Sequence, residues 1–453
     1  MNEMKQGSPP AAAGAFSGYR IRPATRPDGE ITRVGRGTPC GEYLRRFWHP
    51  VAMTQELGEL PLNVRVLGED LVLFRDLAGR YGLVHRNCPH RLASLEYGKC
   101  ESEGLRCCYH GWLFAIDGTI LDVPGQPAAI ADRIKRNVRL GAYPVQEYKG
   151  LIFAYMGPPE ETPPFPIYDA FDIPGMAMVP YKAPFGCNWL QVLDAILDPL
   201  HTSFLHSRIS RAQFSEELGE LGELDFHDRT PYMLGTNTRR VGDNVWVRVN
   251  EMVFPNFTQA GALFACDGTK QRYFGRSAFV RWVVPVDDTR TVAYAWGCFG
   301  HRADPPEWNT PEGLQLIEQG ELFDRTYDVR QRFPGDLEAV EGMGPINIHK
   351  NEHLVPSDRG IAMMRRVLKQ QVRNVKNGIR PQQPAQLGPM PINTYGGDTV
   401  LKLPVQADRD DAQFLHEVGR KVMDIFFEAD GLRGEARDSR VVERLKALEA
   451  AGG

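Results

Sequence analysis

The chain has 453 residues, with 53 Lys and Arg against 57 Asp and Glu and a formal net charge of −4 at pH 7. A near-balanced charge without a clustered basic stripe gives no reason to expect nucleic acid or an anionic membrane as partner, and no apolar run reaches the roughly eighteen residues that a spanning helix needs. Eight cysteines spread over this length, with no charged-then-apolar leader, point to a reducing cytoplasm rather than a disulfide framework.

This length leaves room for about two or three domains. The first stretch, with Gly7, Pro9, Pro10 and the small residues Ala11 to Gly14, reads as a flexible arm, and residues 1–42 are assigned to it. From about Tyr43 to Met156, short apolar and β-branched runs alternate with Gly, Asp and Pro, as in Val64-Arg65-Val66-Leu67-Gly68, Leu71-Val72-Leu73-Phe74 and Leu151-Ile152-Phe153-Ala154-Tyr155. They predict a small all-β domain over residues 43–158. Asp117-Gly118, between Trp112-Leu113-Phe114 and Thr119-Ile120-Leu121, predicts a hairpin turn.

Two clusters in this domain carry chemistry. Cys88-Pro89-His90 and Cys107-Cys108-Tyr109-His110 stand sixteen residues apart and place two thiols and two imidazoles on two loops. Ligands split as Cys-x-His and Cys-x-x-His suit a [2Fe-2S] cluster in which the Cys pair holds one iron and the His pair the other. A structural zinc site is the competing reading, but it more often uses Cys-x2–4-Cys with His-x3–5-His. Cys40, Cys100, Cys187, Cys266 and Cys298 lack a partner at ligand spacing and are expected to be buried free thiols, with Cys108 packed behind the cluster.

A Pro-rich connector from Gly157 to Pro166 stops any helix and leads into a second domain, residues 159–453. Strands are expected between Tyr232 and Phe299, as in Val245-Trp246-Val247-Arg248-Val249 and Thr291-Val292-Ala293-Tyr294-Ala295-Trp296, and helices between Asp410 and Leu448. Ahead of the strands lies Asp198-Pro199-Leu200-His201, followed by Thr202 to Leu205 and His206. Two His and a carboxylate on one face of an iron leave positions open for O2 beside a substrate. On a regular helix His201 and His206 would point about 140 degrees apart. The helix should therefore be distorted, by Pro199, which removes a hydrogen bond to Ala195, and by a π-type turn that brings the two His together.

The cluster motif with Arg91 and Gly111-Trp112 beside it, followed by Asp-x-x-His-x-x-x-x-His roughly ninety residues on, resembles the catalytic (alpha) component of the Rieske non-haem iron oxygenases; one departure is Cys108, where Pro is usual. The resemblance implies an α+β chain, with an all-β Rieske [2Fe-2S] domain followed by a catalytic domain whose antiparallel sheet is surrounded by helices in a START or helix-grip arrangement. It implies cluster ligands Cys88, His90, Cys107 and His110, and mononuclear Fe(II) ligands His201 and His206. Asp336, in Gly335-Asp336-Leu337-Glu338-Ala339-Val340-Glu341, matches the segment that supplies the third ligand, with Glu338 and Glu341 as competitors. Asp198 is then a hydrogen-bond partner of one iron histidine that links it to a cluster histidine of the neighbouring subunit.

The segment Glu352-His353-Leu354, Ser357-Asp358, Ile361 and Arg365-Arg366 resembles the phthalate dioxygenase branch. That branch implies a head-to-tail homotrimer, fed with NAD(P)H-derived electrons by a separate reductase, with or without a ferredoxin. His349 and His353 are expected to be structural. Cys107 to Thr119 and Glu147-Tyr148-Lys149-Gly150 through Pro158 are similar to oxygenases that O-demethylate lignin-derived aromatic acids such as dehydrodivanillate. The small aromatic substrate would then be a methoxylated acid that loses formaldehyde; ring hydroxylation of a phthalate-like carboxylate is the alternative. Arg239, Arg240, Arg248 and Arg281 are candidate anchors for the carboxylate. A non-catalytic Rieske electron carrier with a ligand-binding domain is the reading from another class.

Overall fold

A computed structural model describes residues 16–171, 173, 176–210, 216–261, 273–277, 279–299, 324–384 and 390–453. Gly7 to Gly14 and Cys266 lie outside the described residues. The apolar runs of the first domain become short antiparallel strands in three sheets. Trp48–Met53, Leu151–Tyr155 and Val145–Tyr148 form one; Leu62–Val66, Glu69–Arg75, Tyr81–His85 and Ala142–Tyr143 form the second; Lys99–Glu101, Gly104–Arg106, Leu113–Phe114 and Ile120–Asp122 form the third. The expected hairpin turn closes the last pair. Thr119 N–H donates to Asp117 Oδ1 at 2.9 Å, and Gly118 has φ +79° with Leu140 O 2.0 Å from where a Cβ would stand, so only glycine fits.

The second domain is built on a nine-stranded antiparallel sheet. Its long central strands are Tyr232–Val241, Asn244–Val253, Phe279–Asp287 and Arg290–Phe299. Alternation along Asn244–Val253 sends Val245, Val247 and Val249 into a core with Phe414, Val418 and Val422 of the helix Asp411–Glu428. The opposite face carries Trp246, Arg248 and Asn250, and Asn250 reaches the segment that holds the two histidines through Ile196 O. The all-β domain followed by an α+β domain with a large antiparallel sheet and helices agrees with the class expected.

One hydrophobic cluster runs through both regions, from Ile31, Val51 and Phe153 to Trp189, Trp282 and Trp296. Across the junction Leu67 N–H donates to Pro285 O and Gly68 N–H to Val286 O, each at 2.9 Å. Not all of residues 1–42 behaves as an arm. Gly29–Thr32 and the start of Pro39–Leu44 are short helices, Ile31 and Cys40 are fully buried, and Trp189 Nε1 and Asn188 Nδ2 donate to the carbonyls of Ile31 and Thr32.

Candidate metal centres

The two loops of the first domain face one another. Cys88 and Cys107 are buried, at 2% and 3% exposure, whereas His90 and His110 reach the surface. Backbone turns set this division: Cys88 O accepts from Leu92 N, Cys107 O from Gly111 N, and Cys107 N donates to Trp112 O. Leu92 and Gly111 take φ of +62° and +71° to close these turns. The His90 and His110 ring centroids are 4.5 Å apart, and His90 stacks on Trp112 at 4.8 Å with an interplanar angle of 2°.

Arg106 braces the second loop. It pairs with Glu101 and Asp122 and donates from Nη1 to Gly111 O at 2.6 Å. Burial raises the Cys88 thiol to about 11, while the N–H groups of His90 and Arg91 point at its sulfur and favour the thiolate. A bound cluster would draw on those donors. Cys108 is exposed, contrary to expectation, because the turn that sends Cys107 inward turns the next side chain outward. Cys40, Cys187 and Cys298 are buried free thiols and Cys100 is half-buried.

The helix around the second motif breaks as its spacing requires. Trp189–Asp194 runs into a single 3-10 turn at Ala195–Leu197, and a new helix starts at Pro199 with Asp198 as its N-cap. Pro199 thus opens a helix, at the position where its missing N–H costs nothing, instead of kinking one from within. Phe204–Arg208 then forms a π-helical turn, and the His201 and His206 ring centroids lie 5.2 Å apart. The break exposes carbonyls that the sheet's inner face takes up. Asn250 Nδ2 donates to Ile196 O at 2.9 Å, Asn237 Nδ2 to Pro199 O at 3.4 Å, and Arg239 Nη2 to the Thr202 and Ser203 hydroxyls.

Asp336 opens a short helix, Asp336–Glu341, and its Oδ1 lies 3.6 Å from His201 Nε2 and 3.4 Å from His206 Nε2. One ligand atom from each of the three residues falls within 4.8 Å of the others, a spacing and a donor set that fit a mononuclear iron of the two-His, one-carboxylate kind. Burial opposes ionisation of Asp336, but the His206 and His201 rings outweigh it and hold the carboxyl well below the usual range. The competitors are engaged elsewhere. Glu338 takes Arg325, Arg330 and Gly335 N–H, and Glu341 takes Gly186 N–H.

Asp198 differs from expectation in which atom it uses. Its carbonyl oxygen, not its carboxylate, bonds His201 Nδ1, which fixes the tautomer and leaves Nε2 free for a metal. Its carboxylate accepts from His201 N–H, stands 3.8 Å from Nδ1, and is partly open to solvent.

Two positioning groups were not legible in the sequence. Gln191, 1% exposed, donates to Val340 O and Gly344 O and accepts from Asn347 N, so it ties the histidine-bearing segment to the Asp336 segment. Arg365 lies between Asp194 and Glu352 and bonds both. Burial pushes the Asp194 carboxyl up to about 6 although Arg365 opposes the shift. Polar residues in an apolar run, at Gln191 and Asp194, were the available signal. His349 sits in a short 3-10 turn near Arg365 and Glu352, away from the triad.

Comparison with known proteins agrees with these geometries. The Rieske [2Fe-2S] domain family matches residues 47–148. Over 98% of both chains the protein is 38% identical to the tert-butanol monooxygenase / tert-amyl alcohol desaturase oxygenase subunit of Aquincola tertiaricarbonis. It is 38% identical to the phenoxybenzoate dioxygenase subunit alpha of Ectopseudomonas oleovorans, over 81% of this chain and 90% of that one. The 5,5'-dehydrodivanillate O-demethylase oxygenase subunit of Sphingobium sp. strain SYK-6 is 33% identical over 82% of this chain and 87% of that one. Among the described residues no helix is long and apolar enough to cross a membrane. A Rieske motif on facing loops, a two-His, one-carboxylate group gathered from a broken helix and a distant short one, and 38% identity over nearly the whole chain to an oxygenase subunit place the chain in the Rieske non-haem iron oxygenase family, as an alpha subunit.

Proposed function

We propose that this terminal oxygenase holds its cluster through Cys88, His90, Cys107 and His110 and carries out its reaction at iron held by His201, His206 and Asp336. The convergence of the three downstream ligand atoms within 4.8 Å, beside a sheet face lined with polar side chains, carries that reading. Iron bound there supplies activation of O2 with two electrons and two protons. The chain's own residues do the rest. Asp198 aims His201 through its carbonyl, Gln191 sets the distance between the two ligand-bearing segments, and burial of His206 keeps bulk water away from one side of the site.

The reaction we favour is O-demethylation of a methoxylated aromatic acid. The methoxy carbon is hydroxylated and the product collapses to a phenol and formaldehyde; one O2, two electrons and two protons yield the phenol, formaldehyde and one water. One relative supports it, since the 5,5'-dehydrodivanillate O-demethylase oxygenase subunit is named for this reaction. Ring hydroxylation of an aromatic carboxylate is the second reading, favoured by the higher identity to the phenoxybenzoate enzyme.

As an oxygenase subunit the chain takes its electrons from a reductase. We place three copies head to tail, so that the cluster of one serves the iron of the next. Exposed Leu92 and Tyr109 beside His90 and His110, and exposed Phe204 and Ile209 near Asp198, support such an interface. The test is formaldehyde and oxygen uptake measured together, with a surrogate reductase, over a panel of methoxylated aromatic acids. Stoichiometric formaldehyde supports O-demethylation; oxygen uptake with hydroxylated ring product and no formaldehyde selects the second reading, and turnover of tert-butanol alone removes both.

A further inference from the structure

The helix Trp189–Asp194, which leads into the two histidines, carries a second buried polar group beside Gln191. Asp194 lies one turn further on, on the same face, and accepts from Arg365 Nε at 3.1 Å and from Arg365 Nη2. Arg365 is buried on the helix Arg359–Lys376 and turns its other edge on Glu352, to which Nη1 and Nη2 both donate. Glu352 in turn accepts from Asn347 Nδ2 at 2.6 Å, and Asn347 N–H donates to Gln191 Oε1 at 2.8 Å. These bonds close a ring that runs from Gln191 through Asn347, Glu352 and Arg365 to Asp194 and back along one turn of helix. It joins the segment that leads to His201 and His206 to the chain that follows Asp336.

The charges in this ring do not cancel. One guanidinium stands between two carboxylates, and Glu352 alone is enough to neutralise it. Asp194 is the surplus charge and the deeper of the two, with its side chain 10% exposed against 20% for Glu352. Besides Arg365 it faces Glu352 and Asp198, both acidic, while His349 faces Arg365 and Glu352 with Asp28 and Lys369 behind it. Burial, with Glu352 and Asp198 adding to it, pushes the Asp194 carboxyl up to about 6 against the pull of Arg365.

A buried carboxylate without a cation of its own lowers stability. The unfolded chain ionises this group near about 3.9, so its contribution to stability is complete below that value and is lost as pH rises through about 6. At neutral pH the charge is a cost to the fold. What it gains is the two-point bond to Arg365, which only the ionised carboxylate makes in full.

We propose that Asp194 is a positioning residue for the mononuclear site. Ionised, it draws the histidine-bearing segment through Arg365 and Glu352 onto the segment that follows Asp336, and so keeps His201 and His206 at the distance from Asp336 that a metal needs. Protonated, it releases one side of the ring. The proposal rests on the reading of His201, His206 and Asp336 as iron ligands, and adds to it an acid-sensitive lock on metal retention seated away from those ligands.

The test follows iron release in place of turnover. Full-length protein with both metal centres loaded is mixed with a ferrous chelator at values from about pH 5 to 8, and loss of the mononuclear iron is timed while the Rieske absorbance reports the cluster. Protonation of the ligands themselves adds an acid limb common to all variants, so the difference between proteins is the quantity read. In the wild type release should accelerate as Asp194 takes up its proton. Asp194→Asn should release iron roughly tenfold faster at neutral pH and lose that step, so that the two proteins converge at the acid end. Asp194→Glu should restore part of the slow release together with the step. Glu352→Gln removes an acid that opposes ionisation of Asp194, so the step should move to lower pH. Chemical denaturation of the chelator-treated chains should find Asp194→Asn at least as stable as the wild type at neutral pH, the reverse of what a residue serving the fold alone predicts.

Equal release from Asp194→Asn and the wild type at neutral pH, an undisplaced step in Glu352→Gln, faster release matched by an equal loss of stability, or failure of Asp194→Asn to fold would overturn the proposal. The ligand reading fails separately: a wild type with two irons per chain and no chelatable third removes His201, His206 and Asp336 as a metal site.

Discussion

Nε2 of His206 stands 3.4 Å from Oδ1 of Asp336, two atoms brought together from segments far apart in the chain. Nothing local holds them so close. The π turn at Phe204–Arg208 rotates His206 onto the side of His201, and Gln191 fastens the Asp336 helix to the segment on which both histidines sit.

Asp336→Ala should therefore remove one iron and leave the other two. Iron analysis is expected to fall from three per chain to two, with the visible and electron paramagnetic signature of the Rieske cluster unchanged and turnover lost. A variant that retained three irons would move the third ligand elsewhere.

Asp198→Asn separates the two jobs of that residue. The carbonyl that orients His201 is untouched by the substitution, so three irons should remain, whereas substrate-coupled oxygen uptake should fall by roughly 10- to 100-fold or more. Single-turnover experiments on pre-reduced protein would locate the loss in electron delivery between subunits. Full coupled turnover in the variant would remove the carboxylate from the electron path.

Gln191→Leu preserves volume and deletes three hydrogen bonds, to Val340 O, Gly344 O and Asn347 N. One buried and one half-buried carbonyl lose their donor, which should cost roughly 2–3 kcal/mol in chemical denaturation. The mononuclear iron should also be stripped faster by a chelator than in the wild type, while the cluster is not. An unchanged rate of iron loss would confine Gln191 to folding.

The pH dependence of stability has an identifiable source at His49. Fully buried, its Nε2 faces Leu44 O at 2.7 Å and its Nδ1 faces the Asn256 amide at 3.2 Å, while Asn256 Nδ2 also donates to Val283 O. Only the neutral ring with hydrogen on Nε2 satisfies this set, and burial lowers the imidazole to about 4. The unfolded chain binds a proton there near pH 6.5 and the folded chain only near 4, so the contribution is complete above about 6.5 and is lost as pH falls toward 4. Its size is about 3 kcal/mol across that window. His49→Gln should flatten that part of the pH–stability curve; an undiminished slope would assign it to other groups.

Three clusters were readable in the sequence because each is local: Cys88 to His90, Cys107 to His110 and Asp198 to His206 each span a few residues whose spacing narrows the chemistry to metal binding. The helix break was readable for the same reason, since His201 and His206 cannot share a face on a regular helix. Gln191, Arg365 and the hydrogen bonds of Arg239 to Thr202 and Ser203 were hidden, because each depends on partners that are distant in the chain. Cys108 was misplaced because a one-residue change of direction inside a tight turn leaves no periodic trace.

The shared core has an evolutionary corollary. Phe153, at the end of the first domain, packs edge-on against Trp282 at 5.2 Å and lies 6.2 Å from Trp296, both on the large sheet. A chimaera that borrowed its first 158 residues from a distant homologue would meet foreign indoles at this seam. Recombination between such genes is therefore expected to succeed only where donor and recipient carry compatible aromatic sets, so the two metal-bearing halves should diverge together.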